Sequence, residues 1–331
     1  MIHAKAPLRV SLAGGGTDVP PYPSLHGGAV LSSTIDLFAY ASVEPRSDGA
    51  AHLHSPDIDT AVALSGREAL AHSVLADASH SGGADIVLHC DAPPGSGLGS
   101  SSSIIVAMCS ALCMAAGESP TPYELAERAT RIERIDLGIP GGLQDQYAAA
   151  FGGFNFIEFD SENVLVTPLR LPPDIVAELH GSLLLVPTPT VARRSTGILM
   201  RQVAAYERKD SAVMDALGHL KELAIAMKAS LLKGDLRAVA GLLHEGWESK
   251  QRLAEGIATP EIDDLYAEAR DLGAVGGKLL GAGGGGFLLL MAPFETRGDL
   301  ARRMRDRGLA PVNFSFTEHG VQAWRARGIP V

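Results

Sequence analysis

Residues 93–103 place the tightest constraint on the fold of this chain. They read Pro-Pro-Gly-Ser-Gly-Leu-Gly-Ser-Ser-Ser-Ser and lie between a strand-like segment, residues 85–91, and an apolar helix-like segment, residues 104–116. Closely spaced glycine N–H groups after a strand can form a concave nest, and the following helix adds the positive end of its dipole. The order of strand, glycine loop and helix therefore predicts an anion-binding site.

The spacing of this loop excludes two common phosphate-binding motifs. No lysine follows its last glycine, as a Walker A motif would require, and its glycines follow a G-x-G-x-G pattern instead of G-x-G-x-x-G. A flexible serine-rich linker is the alternative, which the flanking strand and helix disfavour. The serine hydroxyls can donate to phosphate or bind a metal ion.

Two further glycine-rich segments lie on either side of this loop in the chain. Residues 12–18 follow the first predicted strand, where Asp18 could accept hydrogen bonds from hydroxyl groups, although a glycine turn with an aspartate cap would look the same. Residues 281–286 match G-x-G-x-x-G, but residues 287–291 predict a strand, and a dinucleotide-binding turn must open a helix. We therefore expect residues 276–286 to form a wall packed against a ligand or the other lobe.

The distribution of segments predicts an α+β fold in two domains. Strands are predicted at residues 8–13, 29–45, 85–91, 153–159, 164–171, 182–187, 287–291 and 312–316. Helices are predicted at residues 104–116, 123–137, 261–272 and 296–308, and across 196–255 with interruptions near Gly218 and Gly234. Strands and helices do not alternate strictly, which disfavours a doubly wound parallel sheet. We place the domains at residues 1–170 and 171–331.

The composition is typical of a soluble enzyme. The 331 residues are 46% apolar and 20% charged, and the formal net charge of −10 leaves no basic surplus to neutralise a nucleic acid. The longest mainly apolar run, residues 104–116, is too short to cross a bilayer. The N-terminus lacks the charged-then-apolar order of a signal peptide, so we expect a cytoplasmic protein without a membrane partner. Whether it forms a homodimer stays open.

The cysteines and one pair of histidines indicate packing more than chemistry. Cys109 and Cys113 lie four residues apart on an apolar helical stretch, and Cys90 is the remaining cysteine. Core packing is favoured over zinc or a disulfide. His52 and His54 alternate with apolar residues, which is typical of an exposed strand face, with a metal site as the less favoured alternative.

The three glycine-rich segments, in this order, resemble the signature motifs of the GHMP kinases (galactokinase, homoserine, mevalonate and phosphomevalonate kinases). The middle motif, P-x-x-x-G-L-G-S-S, is the most specific, and the resemblance covers essentially the whole chain. It implies an N-terminal ribosomal S5 domain 2-like domain, a C-terminal ferredoxin-like domain, and an active site between them. It also implies ATP and Mg²⁺ as cofactors.

The resemblance assigns the nucleotide and metal residues. The ATP phosphate loop corresponds to Pro93, Gly95, Ser96, Gly97, Leu98, Gly99, Ser100, Ser101 and Ser102. Ser101 and Glu133 correspond to the magnesium ligands. From the residues alone, Glu133 could equally be a surface charge paired with Arg131 or Arg134.

The resemblance also assigns the residues around the transferred phosphate. Asp145 matches the catalytic aspartate of galactokinase-like members, and Arg9 matches a basic residue that orients the acceptor or offsets charge. From the residues alone, Asp145 could be a helix cap. The expected substrate-binding residues are Gly15, Gly16, Thr17, Asp18, Gln144, Arg193, Arg194, Lys278, Gly283 and Gly284.

Within the family, the chain most resembles the bacterial D-glycero-D-manno-heptose 7-phosphate kinases, and the resemblance lies in residues 6–9, 13–18, 132–137, 144–156 and 276–287. This implies phosphorylation of the anomeric hydroxyl to give the 1,7-bisphosphate, which serves nucleotide-activated heptose and surface polysaccharide. Leu143 departs from the lysine expected in many such kinases. The distal phosphate would need a cationic pocket, for which Arg193 or Arg194 is proposed; a solvated basic pair is the alternative. A kinase for an unphosphorylated sugar such as fucose or galactose, and a non-catalytic sugar- or nucleotide-binding regulator, stay open.

Overall fold

The computed structural model describes residues 1–55, 70, 73–75, 83–189 and 195–327. The strands are β1 Ile2–Ala13, β2 Gly28–Arg46, β3 Ala51–His54, β4 Gly83–Cys90, β5 Phe154–Phe159, β6 Val164–Pro168, β7 Leu183–Pro187, β8 Gly276–Leu279, β9 Phe287–Met291 and β10 Gln322–Arg325. The α-helices are α1 Tyr22–His26, α2 Ser100–Ala116, α3 Pro122–Thr130, α4 Gln144–Phe151, α5 Pro173–Ser182, α6 Ser195–Glu207, α7 Ser211–Leu232, α8 Leu236–Gln251, α9 Pro260–Asp271 and α10 Phe294–Asp306. A π-helical turn, Arg131–Asp136, continues α3.

The long strand β2 organises the larger sheet. Along one edge it pairs antiparallel with β1, while its two ends pair with different strands on the other edge. Its first part, from Gly28 to Ser33, pairs with β5, and its last part, from Ala39 to Arg46, pairs with β4. The strand β10 pairs antiparallel with β1, so the last described strand returns to the first sheet. Helix α2 packs on β1 and β2 and carries the loop of residues 93–103 to the end of this sheet.

The smaller sheet has the order β7-β9-β8 and is antiparallel. Its central strand β9 is apolar throughout because both of its faces are buried. Phe287 and Leu289 belong to the core shared with the larger sheet, whereas Leu288 and Leu290 belong to a second core built by the C-terminal helices. The strand therefore lies between the two cores and joins the halves of the protein.

Most predicted elements are present, with shifted ends. The strand at 287–291 has the predicted bounds, and the helix at 104–116 begins earlier, at Ser100. The predicted interruption near Gly234 is confirmed, since α7 ends at Leu232 and Gly234 has φ of 70°. The interruption near Gly218 is wrong. That glycine lies inside α7 with open space around it, so it weakens the helix without breaking it.

The predicted strand at 312–316 is also wrong. Only isolated bridges occur there, from Val312 to Leu185 of the smaller sheet and from Phe316 to Ile35 of the larger one. Because the segment crosses from one sheet to the other, it cannot extend a regular ladder in either. Five of the described elements, α1, α4, α5, β8 and β10, were not predicted. The proposed boundary at residue 170 falls between β6 and α5 and stays a proposal.

The cysteines and the histidine pair lie where the sequence suggested. Cys90, Cys109 and Cys113 are buried and free of disulfides. His52 and His54 are exposed on β3, where the His52 ring lies 2.9 Å from Asp85. No helix in the described ranges combines the length and apolar character needed to cross a membrane.

We predict that Gly14→Ala destabilises the protein much more than Gly49→Ala. Both glycines have positive φ, of 80° and 74°. A Cβ atom on Gly14 would lie 1.9 Å from the carbonyl oxygen of Ala29, whereas one on Gly49 would meet nothing within 4 Å. We expect a loss of about 1 kcal/mol in unfolding free energy at Gly49 and about 3 kcal/mol or more at Gly14, measured by urea denaturation. Equal losses would contradict the close approach.

Candidate active site

The glycine-serine loop lies between β4 and α2 and has the backbone of an anion nest. Gly95, Gly97 and Gly99 each have φ of 78°, a conformation that favours glycine. Gly99 is the N-cap of α2, and no side chain caps this helix end. The first N–H groups of α2 are therefore left for a ligand, and the helix dipole favours an anion there.

Arg9 connects this loop to Asp145. Its Nε and Nη2 atoms donate to the two carboxylate oxygens of Asp145 at 2.7 and 2.8 Å, and its Nη1 atom donates to the carbonyl oxygen of Gly97 at 2.6 Å. The Arg9 backbone N–H also donates to the Leu98 carbonyl at 3.0 Å. Arg9 is buried, while the Asp145 side chain retains 19% exposure. Asp145 is thus not a helix cap, and it keeps a solvent-facing side beside the loop.

Asp18 is buried and holds the first glycine segment, residues 12–18, against the start of α4. Its Oδ1 atom accepts from the N–H of Gly16 at 3.0 Å, and its Oδ2 atom accepts from the backbone and side-chain amides of Gln144 at 3.2 and 3.1 Å. A Cβ atom on Gly142 would lie 2.0 Å from Oδ2 of Asp18. Glycine is therefore required at residue 142 for the loop to approach this carboxylate.

Glu133 is buried in the π-helical turn and faces the serines of the loop. Its carboxylate accepts from Ser101 Oγ at 2.9 Å, Ser102 Oγ at 2.7 Å and Gln146 Nε2 at 2.6 Å. Arg134 lies 3.2 Å from the same carboxylate. Glu133 is therefore buried and is not a surface charge. Arg134, one of the two arginines expected to pair with it at the surface, is nevertheless among its partners.

The first turn of α4 brings these groups together. Gln144 binds Asp18, Asp145 binds Arg9, and Gln146 binds Glu133. Three consecutive residues thus contact the first glycine segment, the strand behind the phosphate loop, and the acidic residue beside the serines.

Ser101 and Glu133 offer the oxygen atoms that Mg²⁺ prefers. Mg²⁺ usually binds one or two carboxylates together with substrate phosphates, and this hydroxyl–carboxylate pair at the phosphate loop fits that pattern. In the part of the chain that the structure describes, no group of three or more His, Cys, Asp or Glu side chains could hold a metal by itself. A metal ion here would take its remaining ligands from the nucleotide and from water.

The third glycine segment, residues 281–286, packs with its backbone against the backbone of the phosphate loop. A Cβ atom on Gly281 would lie 2.5 Å from the Cα atom of Gly97, and one on Gly286 would lie 2.5 Å from the carbonyl oxygen of Ser96. Gly283 and Gly284 instead pack against the chain after α8, where the N–H of Gly284 donates to the Ile257 carbonyl at 2.9 Å. The expected glycine wall is present at Gly281 and Gly286.

Two buried lysines lie behind the site. Lys278 of β8 donates to the Leu12 carbonyl at 3.4 Å, and Lys250 of α8 donates to carbonyl oxygens next to the third glycine segment. Burial, reinforced by the charge of Arg9, lowers the pKa of Lys278 to about 8, and the charge of Asp18 opposes this shift. Burial, followed by the charges of Lys278 and Arg9, holds the pKa of Lys250 well below its ordinary value. The surroundings of both lysines therefore disfavour their charged form, while their Nζ atoms contact backbone oxygens behind the site.

The remaining predicted residues differ in position. Thr17 is buried, and its hydroxyl bonds the backbone of Gly14 and Ala29, so its side chain shapes the turn. Pro93 is exposed at the start of the loop. Arg193 and Arg194 lie outside the described residues.

Comparison with known proteins identifies the family. Residues 64–153 match the family described as GHMP kinases N terminal domain, and residues 227–309 match GHMP kinases C terminal. Over 338 residues, the chain is 36% identical to D-glycero-alpha-D-manno-heptose 7-phosphate kinase of Campylobacter jejuni, covering 98% of this chain and 99% of the relative. The chain belongs to the GHMP kinase family.

Solved structures agree with this assignment. A structure described as a D-glycero-D-manno-heptose 1-phosphate kinase from Bacteroides thetaiotaomicron is 32% identical, with a TM-score of 0.80, and covers 99% of this GHMP kinase and 100% of its own chain. Lactococcus lactis galactokinase complexed with galactose is 17% identical, with a TM-score of 0.75 and coverage of 97% and 95%, and this likeness shows the fold alone. The expected two-domain α+β GHMP kinase fold is confirmed, and the chain is an ATP-dependent kinase.

Sequence reasoning missed three buried polar residues of this kinase. Gln146 binds Glu133, Gln202 of α6 donates to the Gly16 carbonyl at 3.3 Å, and Lys250 supports the third glycine segment. Lys250 had a detectable signal. It follows buried Leu243 and Trp247 at helical spacing, so a lysine occupies a position where the pattern of α8 predicts an apolar residue.

We predict that the stability of the wild type rises with pH relative to Lys278→Met. Lysine in an unfolded chain has a pKa near 10.5, and in the folded protein Lys278 titrates near 8. Between these values the unfolded state binds more protons, so raising the pH favours the folded state. Urea denaturation measures the unfolding free energy of both proteins. Between pH 7 and pH 10.5, the unfolding free energy of the wild type should increase relative to that of Lys278→Met by on the order of 3 kcal/mol. A difference independent of pH would contradict the buried, partly neutral lysine.

Proposed function

We propose that this GHMP kinase transfers the γ-phosphoryl group of ATP to the anomeric hydroxyl of D-glycero-D-manno-heptose 7-phosphate, giving the 1,7-bisphosphate. The observation that carries the proposal is the Arg9 guanidinium, which holds Asp145 beside the phosphate loop. At the end of this loop, no side chain caps the N-terminus of α2. The choice of acceptor is supported by the nearly full-length similarity to the Campylobacter jejuni enzyme. Both named heptose relatives concern a phosphorylated heptose, although the phosphate position in the two names differs.

Phosphoryl transfer depends mainly on positioning and on neutralising charge. In this proposal the ATP phosphates lie on the N–H groups of residues 93–103 and at the N-terminus of α2. Ser101 and Glu133 would hold Mg²⁺, which would supply positive charge to neutralise the ATP phosphates. Asp145 accepts a hydrogen bond from the attacking hydroxyl, and it either takes the proton or orients the oxygen. Arg9 holds this carboxylate in place through two hydrogen bonds, and it offsets the charge that develops on the phosphoryl oxygens.

The proposed acceptor lies on the side of Asp145 that faces the first glycine segment. Asp18 and Gln144 are buried and bonded to each other at the edge of this region, and the backbone of Gly15 and Gly16 is partly exposed there. The 7-phosphate then requires a cationic group farther from the reacting hydroxyl. Arg193 or Arg194 is the proposed partner, since planar guanidinium groups match phosphate geometry well.

A kinase for an unphosphorylated sugar is the second candidate, and Leu143 favours it. This residue is the N-cap of α4, directly before Gln144, where the resemblance leads us to expect a lysine. A neutral side chain at this position offers nothing to an additional phosphate. A non-catalytic regulator is disfavoured, because Asp145, Arg9 and the serine loop are all present and assembled.

Coupled ADP release over a panel of acceptors tests the function. We expect the kcat/KM for D-glycero-D-manno-heptose 7-phosphate to exceed that for heptose, fucose and galactose by about 100-fold or more. Phosphorus NMR of the product should show a phosphate on C1. Asp145→Asn is the matched control, and its kcat should fall by about 10²- to 10⁴-fold, because the amide cannot accept the proton. Faster turnover of fucose or galactose would support the second candidate, and no ADP with any acceptor would support a regulator.

Replacing Arg193 and Arg194 together with Ala tests the distal phosphate contact. We expect the KM for the heptose phosphate to rise by about tenfold or more, while the KM for ATP stays within about twofold, because only the acceptor loses a charged partner. The control is the double variant Arg302→Ala/Arg305→Ala, which removes two exposed arginines from α10. An unchanged acceptor KM would contradict a role for the pair.

A further inference from the structure

Lys250 lies at the C-terminal end of α8, with its ammonium group buried among backbone carbonyls. Its Nζ atom donates to the Leu279 carbonyl at 3.1 Å and also to the Gly281 carbonyl. Leu279 ends β8, and Gly281 opens the third glycine segment with φ of 74°. One side chain from a helix therefore binds the backbone on both sides of the point where β8 turns into this segment.

The backbone that Lys250 holds is the same backbone that touches the phosphate loop. A Cβ atom on Gly97 would lie 2.5 Å from the carbonyl oxygen of Leu280, and one on Gly281 would lie 2.5 Å from the Cα atom of Gly97. Such proximity leaves no room for the segment to shift toward the loop. Any outward shift of the segment would remove the surface on which Gly97 rests.

Gly97 is also held by Arg9. The Arg9 Nη1 atom donates to the Gly97 carbonyl at 2.6 Å, and the same guanidinium binds Asp145. Lys250 and Arg9 therefore both restrain the central glycine of the loop, Lys250 through Gly281 and Arg9 directly. The contacts run without a break from Lys250 to Asp145.

A lysine is a costly choice for this position. Its charge is opposed by burial and by the charges of Lys278 and Arg9, and only Asp18 among the charged groups acting on it favours the ammonium form. An apolar residue would fit the buried face of α8, where Leu243 and Trp247 precede it. The two carbonyls that it binds would then lose their donor, so the side chain serves this backbone contact.

We propose that Lys250 is a positioning residue for ATP, which sets the phosphate loop by holding the third glycine segment beneath Gly97. This inference rests on the proposed placement of the ATP phosphates at residues 93–103. Lys250 touches neither substrate, and it acts through Gly281 and Gly97. A purely structural lysine would affect stability alone, whereas this role makes ATP binding more sensitive than acceptor binding.

Lys250→Met removes the donor while keeping the length and apolar part of the side chain. We expect the KM for ATP to rise by about tenfold, equivalent to about 1.4 kcal/mol, while the acceptor KM stays within about twofold. The thermal stabilisation that ATP gives without turnover should shrink in parallel. Lys250→Arg retains a donor and should recover part of the ATP affinity. The matched control is Lys221→Met, because Lys221 also donates from a helix to a backbone carbonyl, that of His26 at 2.8 Å; its KM for ATP should not change.

The proposal is overturned if folded Lys250→Met has an unchanged KM for ATP, or if the KM values for ATP and acceptor rise equally. If this variant does not fold, Gly281→Ala tests the same contact from the other side, since its Cβ atom would displace Gly97. Gly281→Ala should also weaken ATP selectively, and an unchanged KM for ATP would overturn the proposal. Failure of the proposed function is distinguishable, because the wild type itself would then prefer another acceptor or release no ADP, whereas the Lys250 test compares the KM for ATP of variant and wild type with the same acceptor.

Discussion

The site depends on one buried guanidinium, that of Arg9. A buried cation is stable only when its charge and all its donors are matched, and removing one partner leaves a large penalty. The charge of Arg9 is paired with Asp145, and its guanidinium donates to both oxygens of that carboxylate and to the carbonyl of Gly97. Each partner comes from a different part of the chain. The planar fork of arginine, which a lysine lacks, therefore sets the distance between the acidic residue and the phosphate loop.

The first turn of α4 connects Asp145 to the other residues of the site. Consecutive residues of an α-helix point about 100° apart, so Gln144, Asp145 and Gln146 face three different directions. Each direction contains one partner from another motif: Asp18, Arg9 or Glu133. A small rotation of this helical turn would disturb all three contacts together. The regions that we propose for the acceptor, the reacting centre and the metal ion are thus coupled through a single turn of helix.

Sequence reasoning located the local features of this kinase and missed the contacts between them. Glycine runs at residues 93–103 were informative because positive φ and backbone contact both demand glycine, and the apolar run 287–291 was informative because β9 is buried on both faces. The positions of Lys250 and Gln146 depend on partners more than ten residues away, which periodicity does not report. The segment 312–316 shows the same limit, since its strand-like composition does not tell which sheet it would join.

The pairing of β10 with β1 has a consequence for synthesis of the chain. The outer edge of β1 from Ile2 to Lys5 is covered by residues that emerge from the ribosome more than three hundred positions later, with Trp324 opposite His3. Until then this edge presents unpaired N–H and C=O groups, which are a template for pairing with other chains. The nascent N-terminal half can therefore associate wrongly with other chains for most of translation. This exposure ends when Gln322–Arg325 pairs with β1.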